Sequence, residues 1–300
     1  LKKSSKRILL TFRTLTEFDF PALYDCFCES FSDYQISMKL SKVDFLERMN
    51  RIGYSPRLSG GAFEEEQMVG FIITGVGSFE NKSTTYNGGT GVIPTFRKKK
   101  VAEKLYSFLI SEFQKEGVEQ ALLEVISDNK PAIELYKKLG FKISRTLSCF
   151  SLSNEFEQRK SKLSIRISQV DLPDWKTYRK FYSDWVCWQN QAESITRSLR
   201  NEIVLEVYLK TKTIGFAIFN PTSGKISQIA ISENHRNSLV AHNLLRAIQK
   251  MSYTERVGML NVDEENKTAM HFFEQVGFAV FIRQYEMKLE LGNYITANSE

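Results

Sequence analysis

Asn129-Lys-Pro-Ala-Ile-Glu-Leu-Tyr-Lys-Lys-Leu-Gly-Phe141 returns, without a gap, as Asn266-Lys-Thr-Ala-Met-His-Phe-Phe-Glu-Gln-Val-Gly-Phe278. Five of the thirteen positions are identical, and four more exchange one large apolar residue for another. The flanks repeat as well. Val92-Ile-Pro-Thr-Phe-Arg97 followed by Val101-Ala-Glu-Lys-Leu105 answers Ile231-Ser-Glu-Asn-His-Arg236 followed by Val240-Ala-His-Asn-Leu244. Gly70-Phe71-Ile72 answers Gly215-Phe216-Ala217, and Arg13 to Pro21 answers Arg166 to Pro173. A period of about 138 residues is a duplicated domain rather than a solenoid unit. The expected division is a domain over 1–157, a hydrophilic joint near 153–162, a second domain over 163–290 and a tail over 291–300.

Local signals give each copy the order β-α-(α)-β-β-β-α-β-α-β. In the first copy a strand over 9–14 precedes a helix opened by Asp19 and Pro21, whose Phe20, Leu23, Phe27 and Phe31 recur at three and four residues. Strands follow at 68–75 and 84–93. Helical spacing returns over 101–117, with Leu105, Phe108, Leu109 and Phe113 on one side. A buried strand is expected at 121–126, then a helix over 131–139 with Pro in its first turn and Gly140 ending it. A strand over 141–152 closes the copy. The fold class is therefore α/β (α+β).

Composition excludes several classes. Of 300 residues, 42% are hydrophobic and 25% charged, as in ordinary globular chains, and 16 Gly with 6 Pro are too few for fibrous or low-complexity protein. No apolar run approaches the ~18 residues of a membrane span. The basic first residues lack a signal-peptide core, so a cytoplasmic chain without membrane association is expected. Net charge is +6, and the two halves, divided at residue 157, carry excesses of only +2 and +4. That is no nucleic-acid-binding imbalance, despite the run Arg97-Lys-Lys-Lys100. Cys26, Cys28, Cys149 and Cys187 show no zinc-like pairing and read as buried thiols in a reducing compartment. His235, His242 and His271 share no spacing, so no metal site is expected.

Two stretches resemble a known family. The strand leading through Gly91-Val-Ile-Pro94 into Arg97-x-x-x-Val-Ala102 is similar to the acyl-CoA-binding signature of the GNAT acetyltransferases. Leu123-Glu-Val-x(3)-Asn129-x(2)-Ala132-x(2)-Leu-Tyr136-x(2)-Leu-Gly-Phe141 is similar to their second signature, and both recur in order in the second half. The resemblance implies two GNAT domains. Each would be a mixed, mostly antiparallel sheet with a splayed parallel pair at its centre, flanked by helices. It also implies transfer of an acetyl group from acetyl-CoA, or another acyl-CoA, to a primary amine of a small molecule or peptide.

The resemblance assigns roles residue by residue. Arg97, Lys98, Lys99, Lys100, Val101 and Ala102 form the turn that receives the pyrophosphate at a helix N-terminus. The family keeps glycine where this chain has Lys100, and the second copy has Leu239 there. Lys98 to Lys100 would offset lost backbone contacts with ammonium groups; Leu239 cannot. The backbone of Gly91, Val92 and Ile93 would face the pantetheine arm. Asn129 is read as either a contact to that arm or a helix cap.

Tyr136 stands where many members place the acid that protonates the departing thiolate, since a phenol has a pKa near 10. Glu124 precedes it by twelve residues, as does the base of the ribosomal-protein N-terminal alanine acetyltransferases; an edge-strand or salt-bridged carboxylate is the other reading. Tyr34, Tyr86 and Asn87 are further polar candidates for the acceptor cleft. In the second copy Asn261 replaces Glu124 and Phe273 replaces Tyr136, so catalysis is expected in the first domain alone. Trp175, Trp185 and Trp188 fit either a hydrophobic ledge or a core. Two rivals stand beside an amine acetyltransferase: a noncatalytic acyl-CoA-binding or regulatory protein, and a tRNA-dependent aminoacyl transferase, against which the modest charge argues. Whether the chain works as a homodimer stays open.

Overall fold

The computed structural model describes residues 9–33, 40–152, 163–182, 186–236 and 239–292. Tyr34, Trp185, the joint at 153–162 and the tail beyond residue 292 lie outside the described residues. Two compact units form. The first takes the chain through Ser144 together with the residues from Glu286 onward, and the second spans Arg145–Tyr285. The units thus depart from the repeat only at its closing strands, each of which is divided between them.

The first repeat contains β1 (Leu10–Thr14), α1 (Phe20–Ser30), α2 (Lys42–Ile52), β2 (Gly60–Glu64), β3 (Gln67–Phe79) and β4 (Lys82–Val92). It continues through α3 (Val101–Lys115), β5 (Gln120–Ile126), α4 (Lys130–Lys138) and β6 (Lys142–Leu152). Strands β1 to β4 are antiparallel neighbours in sequence order, and β4 pairs with β5 in parallel. Helices cover both faces. A Cβ on Gly70 would meet Val101 of α3 at 3.1 Å, whereas the ring of the next residue, Phe71, stands 6.0 Å from Phe27 of α1. Successive strand residues point to opposite faces, so α3 and α1 lie on opposite sides of β3. Phe27 also packs on Phe45 of α2 at 4.7 Å.

Residues beyond Tyr285 complete the first unit. The Leu291 N–H donates to the Glu119 carbonyl at 2.8 Å, and Lys82–Glu290 and Lys288–Glu80 pair at 2.8 and 2.7 Å. Glu286 is fully buried and accepts from the Ser144 hydroxyl at 2.7 Å.

The second repeat contains β7 (Ile165–Val170), α5 (Trp175–Tyr178), α6 (Ala192–Arg197), β8 (Ile203–Leu209) and β9 (Lys212–Asn220). It ends with β10 (Lys225–Ile231), α7 (Val240–Met251), β11 (Val257–Asp263), α8 (Lys267–Gln275) and β12 (Ala279–Glu290). Strands β7 to β10 are antiparallel, β10 and β11 parallel, and β11 pairs antiparallel with β6. Leu205, Val207, Ala217 and Phe219 face the cluster beneath α7 and α8, while the alternate residues Val204, Phe216 and Ile218 face Tyr178, Phe181 and Ile195. The Tyr178 ring stacks on Phe216 at 3.9 Å. Trp188 is core, and Trp175 donates its indole N–H to Thr196 at 3.1 Å. No described helix is long and apolar enough to cross a membrane.

Candidate functional site

The site in the first unit is built on an irregularity in β4. The β3–β4 register runs Ile73↔Gly89 and then Thr74↔Asn87, leaving Gly88 as the extra residue of a bulge. A Cβ on Gly88 would stand 2.2 Å from Ile52 Cδ1, so any larger residue there would have to displace the Ile52 side chain of α2. Parallel pairing with β5 runs from Thr84↔Gln120 to Asn87↔Leu123. Beyond that point β4 continues to Val92 and β5 to Ile126 without pairing to one another among the described residues. The strands part, and the backbone of Gly88 to Val92 on that edge is left to face whatever enters.

Polar side chains gather where the strands separate. Tyr86 donates its hydroxyl to Glu124 Oε2 at 3.0 Å. Asn87 donates through Nδ2 to Thr90 Oγ1 at 2.9 Å and to Tyr136 Oη at 3.4 Å, and its Oδ1 accepts from the Gly89 N–H at 2.9 Å. Glu124 and Tyr136 are thereby tied to two successive residues of β4. Tyr136 is buried, with its ring centre 6.0 Å from Tyr106 and 5.9 Å from Phe141. Burial pushes the Tyr106 phenol well above its ordinary pKa, and neighbouring Tyr136 adds to this. A residue that sequence reasoning passed over also reaches the bulge: Arg48 of α2 donates to the Gly88 carbonyl at 2.9 Å. No spacing signals it, because it reaches the bulge across forty residues of chain.

The turn before α3 combines three features suited to an anion. Lys98 and Lys100 adopt φ of +62° and +59°, the left-handed conformation that glycine takes most easily. Alternation into this region turns successive N–H groups toward one concavity. Helix α3 carries no side-chain cap, so its first N–H groups remain available, and Lys98, Lys99 and Lys100 are exposed beside them. These residues fit the pyrophosphate of an acyl-CoA.

Other candidates have structural work of their own. Arg97 pairs with Asp33 at 2.6 Å and donates to the Ser30 carbonyl at 2.8 Å, so its guanidinium clamps the end of α1. That ion pair holds the Asp33 carboxyl below its usual range. Gly91 admits the Phe71 ring, which a Cβ would meet at 2.4 Å. Ile93 is buried, and its N–H donates to the Val69 carbonyl at 3.0 Å; Val92 is half-buried. Val101 is buried and Ala102 half-buried in the first turn of α3. Asn129 caps α4, accepting from the Ala132 N–H at 3.3 Å.

In the second unit the matching positions carry different chemistry. Asn261 adopts φ +59°, and its Oδ1 accepts from Gln284 at 2.8 Å and from the Cys149 thiol at 3.4 Å. Phe273 stacks on Phe150 at 5.1 Å. Leu239 precedes α7 with φ +61°, and Asn266 caps α8 as Asn129 caps α4. His235 meets Ser232 at 2.8 Å, His242 is buried and His271 exposed.

The sequence profile of the acetyltransferase (GNAT) family matches residues 20–141 and again 166–278. A solved GCN5-related N-acetyltransferase from Sphaerobacter thermophilus is similar over 94% of this chain and 96% of its own, with a TM-score of 0.70 at 15% identity. A tandem GNAT protein from the clavulanic acid biosynthesis pathway is similar over 96% of this chain and all of its own, with a TM-score of 0.70 at 13% identity. A GCN5-related N-acetyltransferase from Anabaena variabilis is similar over 94% of this chain and 73% of its own, with a TM-score of 0.62 at 13% identity. No curated protein matches the chain. With the profile matching twice, the chain belongs to the acetyltransferase (GNAT) family and carries the family's domain in duplicate.

Proposed function

We propose that the first unit transfers an acyl group from acetyl-CoA, or another acyl-CoA, to a primary amine of a small molecule or peptide by direct attack. The observation that carries this reading is the parting of β4 from β5 after Asn87↔Leu123, with Glu124 and Tyr136 tethered at the opening. Bound acyl-CoA would supply the thioester carbon that the amine attacks. Lys98 to Lys100 and the N-terminus of α3 hold its phosphates, and the β4 backbone after Gly88 orients its arm.

Glu124 accepts a proton from the acceptor ammonium, which frees the nitrogen lone pair for attack. A backbone N–H of β4 stabilises the negative charge that develops on the carbonyl oxygen. Tyr136 Oη gives its proton to the departing sulfur as the carbon–sulfur bond breaks, and the extra proton on the attacking nitrogen restores the phenol, leaving amide and free thiol. Asn87 positions that hydroxyl. The second unit, with Asn261 and Phe273 at the matching places, has neither proton carrier.

The test is release of free thiol from acetyl-CoA against a panel of primary amines, run beside calorimetry with acetyl-CoA. Turnover on one amine, lost in Glu124→Gln and Tyr136→Phe, is the expected result. A second reading is a noncatalytic acyl-CoA-binding protein. It is favoured by the side chain at Lys100 and by the engagement of Arg97 with Asp33. Tight binding with no thiol release on any amine supports that reading instead.

A further inference from the structure

The second unit contains a cleft of about 90 Å³ where β10 and β11 part, their parallel pairing reaching only Ile226↔Met259. Tyr182, Phe216 and Phe273 give it aromatic walls, and Asn190, Gln228, Asn261 and Asp263 supply its polar lining. Its position answers the catalytic centre of the first unit, but its chemistry is inert toward acyl transfer. Asn261 holds Gln284 and Cys149, and Phe273 has no proton to give. Asp263 is paired with Arg145 at 3.2 Å, both side chains almost wholly buried (4% and 6% exposed), so the cleft presents no net charge.

Two of the polar residues are unsatisfied. Asn190 and Gln228 are 2% and 3% exposed. Asn190 donates its amide to the Leu260 carbonyl at 3.1 Å, and Gln228 donates to the Asn190 carbonyl at 2.6 Å. These contacts fix the orientation of both amides, since the reverse would set oxygen against oxygen. The Asn190 Oδ1 and Gln228 Oε1 atoms are left buried without a donor. Buried acceptors in folded proteins are normally satisfied, and an incoming N–H relieves the cost of leaving them bare. A concave, largely apolar cleft with a few convergent polar groups is the usual form of a small-molecule site. Phosphate is a poor match, because Asn237-Ser-Leu239 stands where the first copy has three lysines.

We propose that this cleft is a noncatalytic site for a small uncharged molecule carrying amide N–H donors on an apolar body, with Asn190 and Gln228 as the acceptors. The probe is benzamide, titrated into the full chain by calorimetry and thermal shift, beside methyl benzoate (the same shape without an N–H) and acetyl-CoA. Benzamide is expected to bind and raise the melting temperature, methyl benzoate to bind at least about tenfold more weakly, and saturating acetyl-CoA to leave benzamide affinity unchanged. Gln228→Met, checked for an unchanged fold by circular dichroism, is expected to weaken benzamide at least about tenfold. Equal binding of amide and ester, displacement of benzamide by acetyl-CoA, or no benzamide binding by about 10 mM overturns the proposal. The ester comparison needs no variant and so stands even if Gln228→Met unfolds.

Discussion

The Tyr86 hydroxyl donates to the Glu124 carboxylate at 3.0 Å, one residue past the last position at which β5 pairs with β4. In the proposed mechanism this carboxylate takes the proton of the acceptor ammonium. Glu124→Gln is expected to lower kcat by about two to four orders of magnitude with acetyl-CoA affinity intact. Tyr86→Phe keeps the carboxylate and removes one donor, so its fall in kcat is expected to be smaller. Steady-state kinetics on both variants decide this, and equal activity of Glu124→Gln and wild type removes Glu124 from the reaction.

Tyr136 is set by Asn87 through a 3.4 Å contact and by aromatic packing on both sides. Tyr136→Phe preserves that packing and deletes the proton. Turnover is expected to fall by about two to four orders of magnitude while the acetyl-CoA dissociation constant stays put. Asn87→Ala leaves the phenol but loosens its position, and its kcat is expected to lie between those of Tyr136→Phe and the wild type.

Lys100 occupies φ +59°, where a side chain costs about 1 kcal/mol or more that glycine avoids. Glycine gives back about 0.5–1 kcal/mol through the entropy of the unfolded chain. Lys100→Gly is therefore expected to hold or slightly raise the melting temperature, whereas β-branched Lys100→Val lowers it. If the ammonium meets phosphate, Lys100→Gly also flattens the salt dependence of acetyl-CoA binding. Thermal melts and calorimetry at two salt concentrations read both effects.

Asp19 accepts from Arg13 in two hydrogen bonds, at 2.7 and 2.9 Å, and from the Thr16 N–H at 2.8 Å. The Arg13 contact leads in holding its carboxyl far below the ordinary range, against a partial opposing effect of burial. A depressed value stabilises the fold above the unfolded carboxylate pKa of about 3.9, and that contribution is lost as pH falls below it. Asp19→Asn is expected to cost about 1 kcal/mol near neutral pH, allowing for the half-exposed Arg13. Urea melts should show the gap between the two proteins closing from about pH 4 downward.

Burial pushes the Cys26 thiol up to about 12, whereas Cys28, two residues on, is exposed. Iodoacetamide on native protein is expected to modify Cys28 alone. Cys26, Cys149 and Cys187 should label only after denaturation, and peptide mass spectrometry reads the sites.

Local order was legible because its causes are local. Helix α4 announces itself with Asn129 as its cap, Pro131 in its first turn and Gly140 at φ +92° after its end. In the second copy Asn266 and Gly277, also at φ +92°, repeat the cap and the stop around α8, with Thr268 in place of the proline. The contacts that shape the candidate site were less visible. Arg48 reaching Gly88, Arg97 clamped on Asp33 and Asn87 holding Tyr136 join residues 40, 64 and 49 positions apart. The bulge at Gly88 and the polar cleft of the second unit likewise have no periodic mark.

The duplication, the order of elements and the replacement of Glu124 and Tyr136 by Asn261 and Phe273 in the second copy are properties of the sequence alone. Each depends on residue identity and short-range spacing, which turn, cap and burial preferences translate directly into structure. The tertiary structure decided where each repeat's closing strand is divided, which polar groups meet at the parting strands, and which buried amides lack a donor. Those outcomes depend on backbone path and packing across distant segments, where small changes in register or approach determine whether two groups meet at all.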